Sequence, residues 1–164
     1  MLQDGLMATY DPDLAEALGG KPRILAEASG RDVRLVGTAQ HLAVHRDGEW
    51  HVLGWHEVER GSWRGETQTF RWWDMAGGKH TAVLDDEGRL PELVQERVQA
   101  STVATFHYDL EPGELRLVAR RPLDGSNEVR FYTVTSGGAL LEDETTRQFV
   151  VRETDRIKRE YGMD

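Results

Sequence analysis

The sequence contains no cysteine, which excludes disulfides, thiolate metal sites and a cysteine nucleophile. It has no apolar run near the ~20 residues that a bilayer-spanning helix needs. Its first ten residues lack the basic start and apolar core of a secretory signal. Positive charge is also short. Twenty Lys and Arg stand against 29 Asp and Glu, a net charge of −9. That balance disfavours generic binding to a phosphate backbone, so no nucleic-acid partner is expected. It would also repel anionic lipid, so no membrane partner is expected either. What these absences leave is a soluble, cytoplasmic globular protein whose 164 residues suit one domain or a domain with an extension.

The acid excess is dispersed. Residues 1–22, 23–89 and 90–164 carry net charges of −3, −2 and −4, with no acidic tail. Such a distribution describes an evenly solvated surface. Lysine occurs only at Lys21, Lys79 and Lys158; the other seventeen basic residues are arginine. The tryptophans, by contrast, are concentrated. Trp50, Trp55, Trp63, Trp72 and Trp73 all fall within 24 residues.

Asp11 as N-cap, Pro12 in the first turn and Gly19-Gly20 as a stop predict a short helix carrying Leu14 and Leu18. Such a segment must dock on the domain or fray. Residues 23–86 read as an antiparallel meander. Candidate strands at 24–28 and 33–37 flank a Ser29-Gly30 turn, and in 38–46 Leu42 and Val44 share one face while His41, Ala43 and His45 share the other. Asp47-Gly48 is a strong hairpin signal. The return strand, 50–58, is expected to bulge at Gly54, shifting the inward face from Val52 to Trp55. Strands at 68–75 and 80–84 follow, joined at Gly77-Gly78.

The period then changes to helical, with Leu90, Leu93, Val94, Arg97 and Val98 in step. Strand periods return in 102–110, 115–120 and 129–134, and a last helix is expected from Asp143 to Tyr161, ended by Gly162. The order is a five-strand run, a helix, about three strands and a helix. This predicts an α+β fold built on a curved antiparallel sheet or partly open barrel, with a mid-chain and a C-terminal helix.

Thr38-Ala39-Gln40-His41-Leu42-Ala43-Val44, a turn, then Val52-Leu53-Gly54-Trp55-His56-Glu57-Val58 resembles the central hairpin of bacterial PH-like domains. The arrangement over about 23–162 is similar to uncharacterised PH-like proteins of high-GC bacteria, helped by residues 90–101 and Ala119-Arg120-Arg121-Pro122. The resemblance implies a single PH-like domain over 23–162, after an extension over 1–22. It departs in two places. Gly54 stands where a proline precedes the tryptophan, and a PH barrel places seven strands before its closing helix. Either the helix closes a smaller barrel with an αβ extension appended, or the strand count before it is not five. The basic cluster of a phosphoinositide pocket does not carry over, because Arg31 beside Asp32 is all that the matching loop offers.

No catalytic constellation emerges. On a strand, His41 and His45 lie about 13 Å apart, too far to share one ion. Surface histidines are expected, with no metal and no cofactor; a group of His80 with Asp85 and Asp86 stays open. Gly61-Ser62-Trp63-Arg64-Gly65 lacks nucleophile-elbow spacing and reads as a link between strands. Ser136-Gly137-Gly138 fits an anion nest or a strand-to-helix loop. The carboxylates of 142–144 suit a helix N-terminus.

The strongest candidate is a Trp/Arg group: Arg60, Trp63, Arg64, Arg71, Trp72 and Trp73, all within 14 residues. Trp and Arg most often anchor interfaces. Consecutive Trp72 and Trp73 point to opposite faces of a strand, so one is outward unless another segment covers it. The expectation is a non-enzymatic module that binds a protein partner or itself through a sheet face or edge. The rival readings are a binder of small molecules or anionic headgroups at a barrel mouth, near 60–71, and a metal-dependent enzyme using His80, Asp85, Asp86 or His107.

Overall fold

A helix of seven residues is too short to hold itself together in water, so its burial must stabilise it. In the computed structural model, which describes residues 12–163, α1 (Pro12–Leu18) does this through Leu14. Leu14 is fully buried with Val36 and Ala43, and Leu18, Ile24, Trp50 and Val52 pack around them. Full burial of one leucine contributes about 1.5–3 kcal/mol. Gly19, at φ +79°, turns the chain out of the helix. Asp11, the expected N-cap, lies outside the described residues.

The fold is α+β, with three antiparallel sheets, three helices and no closed barrel among the described residues. The chain divides between Ala100 and Ser101 into two compact units. In the first, β1 (Ala26–Ser29), β2 (Val33–Gly37), β3 (His41–Arg46) and β4 (Glu49–Gly54) form a sheet in that order. A 3-10 turn at Trp55–Glu57 leads into β5 (Val58–Arg64), β6 (Thr69–Asp74) and β7 (Lys79–Val83), a second sheet, followed by α2 (Leu90–Ser101).

Seven strands therefore precede α2, where five were expected. β2 spans Val33–Gly37, the bounds expected for it, and Thr38 turns the chain into β3. The Thr38 hydroxyl accepts the His41 amide at 3.0 Å, and the Thr38 amide donates to the His41 carbonyl at 2.9 Å. The expected bulge at Gly54 is instead the end of β4, where the amide donates to Glu57 Oε1 at 3.0 Å. A Cβ at Gly54 would collide with the His56 ring, so only glycine lets that turn fold back. Residues 61–65, read as a link, lie mostly within β5. The Asp47-Gly48 hairpin has positive φ at both positions, as its twist-matched turn requires.

In the first sheet Val36, Ala43 and Val52 are in register on the face toward α1, while Leu35 and Val44 pair on the other. Both faces are buried. α2 packs on that second face and also reaches the second sheet. A Cβ on Gly37 would meet Leu93, and one on Gly61 would lie 2.9 Å from Val94 and from Phe70. Two glycines, one in each sheet, thus admit Leu93 and Val94 of a single helix.

The second unit is a three-stranded sheet and a helix. β8 (Thr102–Asp109), β9 (Glu114–Arg120) and β10 (Arg130–Ser136) pair in the order β10-β9-β8. α3 (Glu144–Tyr161) is capped by Asp143, which accepts the Thr145 amide, and ends at left-handed Gly162. Its Ile157 is buried with Leu115 and Leu117, surrounded by Phe106, Tyr108, Phe131, Phe149 and Val150. The alternation in β8 and β9 and the apolar stripe of α3 meet as their periods require. Gly137 and Gly138, both at positive φ, form the loop from β10 toward α3.

Candidate functional site

The second sheet sorts the six Trp/Arg residues between its faces. Directly opposed residues share a face, and the register gives three rows on the outer one: Arg60–Trp73–Lys79, Ser62–Arg71–Thr81 and Arg64–Thr69–Val83. Four cations thus share one face with a tryptophan, two of them in its own row. The Arg60 guanidinium lies 3.6 Å from the centroid of the Trp73 ring, and Lys79 Nζ lies 5.9 Å from it on the next strand. Such contacts are worth about 0.5–2 kcal/mol each. Arg60, Arg64, Lys79 and Val83 are exposed; Arg71 and Trp73 are half-buried. α1, one of the segments that could have covered an outward tryptophan, packs on the first sheet instead.

Trp63 and Trp72 belong to the other face. Trp72 is 2% exposed and stacks between Phe70 and His80, with ring centroids at 5.8 and 5.3 Å. Trp63 is half-buried and lines a groove of about 550 Å³ with Pro91, Gln95 and Val98 of α2. The structure therefore brings Arg60, Arg64, Arg71 and Trp73 together and places Trp63 and Trp72 beneath them.

Sequence reasoning paired His80 with Asp85 and Asp86, but the structure pairs it with Asp74. His80 Nε2 lies 2.7 Å from Asp74 Oδ2, and Asp74 Oδ1 accepts the Ala76 and Gly78 amides at 2.9 Å. The signal was present in the hairpin. Trp72 stands opposite His80, so Asp74, two residues on, shares their face.

Burial pushes the Asp74 carboxyl upward, but these hydrogen bonds and the His80 charge outweigh it and hold the group below its ordinary value. A carboxylate lowered by folding stabilises the fold above the unfolded-state value. That contribution is lost as the pH falls through the folded one. Asp74→Asn is expected to cost about 1.5–3 kcal/mol at neutral pH, the range for hydrogen bonds to charged groups. Urea titrations from neutral to acid pH should show the gap to wild type closing in acid; a constant gap would contradict this assignment.

Among the described residues no group of three or more His, Asp or Glu could hold a metal. The expectation of surface histidines fails at His56, which is 7% exposed within the 3-10 turn after β4. Among the described residues no helix is long and apolar enough to cross a membrane. The chain matches no known family, no curated protein and no solved structure.

Proposed function

We propose that the protein is a non-catalytic, PH-like interaction module. It binds an acidic protein surface, on a partner or on a second copy, through the outer face of the β5–β6–β7 sheet. The Arg60–Trp73–Lys79 row carries the reading. On a chain of net charge −9, four cations share a sheet face with one half-buried aromatic ring that Arg60 and Lys79 contact, with no described helix of the first unit laid over them. A flat aromatic already desolvated by guanidinium contact, rimmed by exposed charge, has the composition of an interface anchor. The PH-like assignment is supported by the Thr38–Val58 hairpin motif. It is also supported by seven strands, in sheets of four and three, ahead of a helix that packs on both sheets.

Trp73→Ala and Arg71→Glu test it. Each is expected to retain wild-type circular dichroism and a urea midpoint close to wild type. Each should abolish self-association in sedimentation, or retention of a partner that wild-type protein captures. A cooperative loss of folding in Trp73→Ala would instead make the residue structural. Undiminished association in both variants would remove this face from the interaction.

A further inference from the structure

A strand at the edge of a sheet offers unpaired amides and carbonyls to any chain that can match them. Most edges are blunted by bulges, charge or proline. The sheet of the second unit has its edges at β8 and β10. β8 carries a register shift against β9 between Thr102 and Ala104. β10 carries none, and Arg130–Ser136 pairs residue for residue with β9 along its whole length. Its centre, Phe131-Tyr132-Thr133-Val134-Thr135, is aromatic or β-branched throughout, with no charge, glycine or proline. Each of these residues is half-buried, and no strand of the described residues pairs with the far side of β10.

The phase of the hydrogen bonds fixes what that edge presents. The Leu110 amide donates to the Gly113 carbonyl at 2.8 Å, so Leu115 and Leu117 bond toward β8 while Arg116, Val118 and Arg120 bond toward β10. Arg130, Tyr132 and Val134 therefore bond to β9, and Phe131, Thr133 and Thr135 direct their N–H and C=O groups away from the sheet. That set is symmetric about Thr133. The net charge of −9 keeps copies of the chain apart, yet β10 contains no acid. We propose that a second copy of this chain pairs antiparallel on this edge, centred on Thr133, and joins two three-stranded sheets into one. Thr133 then exchanges both backbone hydrogen bonds with the partner's Thr133, and Phe131 with the partner's Thr135. Tyr132 falls opposite the partner's Val134, an aromatic and β-branched pair of the favoured kind. Arg130 falls opposite the partner's Ser136, so no like charges oppose one another. Moving the centre to Tyr132 or Val134 leaves one outward residue without a mate in the partner strand, which selects Thr133.

Sedimentation velocity on the full chain, over a concentration series reaching about 100 μM, reads the dimer. Wild type is expected to dimerise reversibly. Thr133→Lys sets two like charges opposite each other at the axis, as does Thr133→Glu. Each alone is expected to weaken the dimer by about tenfold or more, and an equimolar mixture of the two should restore it as a heterodimer. Thr133→Pro removes an outward N–H, leaves the β9 ladder intact, and should be monomeric with unchanged circular dichroism. β10 and the Arg60–Trp73–Lys79 row belong to different units, so Trp73→Ala should leave this dimer intact. The row is then read by partner retention in the Thr133→Lys background. A wild type monomeric at every concentration would overturn the proposal, even if a strand of another protein bound the same edge. So would a mixture that stays monomeric while both charged variants fold. A dimer that survives both charged variants would also overturn it, and its loss in Trp73→Ala would assign self-association to the row instead. If the charged variants do not fold, Thr133→Pro decides: an undiminished dimer in that variant overturns the pairing.

Discussion

Gly30→Ala is expected to lose about 3–5 kcal/mol of stability, from overpacking and from broken backbone hydrogen bonds together. A Cβ at Gly30 would fall inside the van der Waals envelope of the Val83 carbonyl oxygen and 3.1 Å from its carbon. The obstacle is backbone, so no side-chain rotation relieves it. The β1–β2 turn would have to withdraw from the end of β7. That end carries the join between the two sheets: the Ser29 amide donates to the Asp86 carbonyl at 2.8 Å, and the Asp85 amide donates back to Ser29 at 2.9 Å. Gly88 makes a second approach of this kind, against the Glu27 carbonyl. Gly20→Ala is the control, since nothing lies within 4 Å of its Cβ, and it should stay within about 0.5 kcal/mol of wild type. Urea midpoints with unchanged slopes would measure both variants. A Gly30→Ala midpoint equal to that of wild type would show that the two sheets do not depend on this contact.

The same contacts explain which parts of the fold a sequence reader can see. Asp47-Gly48, the Asp143 cap, the Gly162 stop and the alternation of Phe106 and Tyr108 are local signals, and each element formed where its signal lay. The turn from β2 to β3 was a local signal, with Gly37 at its start and the Thr38 hydroxyl accepting the His41 amide. The strand read as a link, β5, had its cause elsewhere in the chain. β5 contains Gly61 and ends before Gly65, which reads as a link. Gly61 is there because Phe70 and Val94 occupy the space that its Cβ would take. A glycine that serves a helix more than thirty residues later carries no local mark.

The Trp/Arg group was half legible. That Trp72 and Trp73 part company follows from strand geometry alone. Which one turns inward was also written in the chain, since Phe70 and Trp72 alternate with Arg71 and Trp73. Grouping all six residues by proximity in sequence obscured that parity. The Asp74–His80 pair needed the register across the Gly77-Gly78 turn, which pairing by nearness to Asp85 could not supply.

Trp55 should show what the Thr38–Val58 hairpin motif is for. Trp55 is fully buried and, with His56 and Glu57, forms the 3-10 turn between the first two sheets. Its indole N–H donates to the Thr38 carbonyl at 2.8 Å. The threonine that turns β2 into β3 and the tryptophan that ends the hairpin are therefore bonded to each other. Trp55→Ala is expected to lose about 3–5 kcal/mol, the usual range for deleting a large buried aromatic. Trp55→Phe keeps most of the packing but leaves the buried Thr38 carbonyl without its donor, and should lose about 1–3 kcal/mol. The difference between the two urea midpoints separates the ring from its hydrogen bond. If Trp55→Phe matched wild type, the bond would contribute nothing and only ring volume would matter. Either way neither variant should alter the Arg60–Trp73–Lys79 row, because Trp55 belongs to the turn that joins the sheets. The residues that carry the PH-like resemblance act in packing, and the residues that would carry binding lie on other strands.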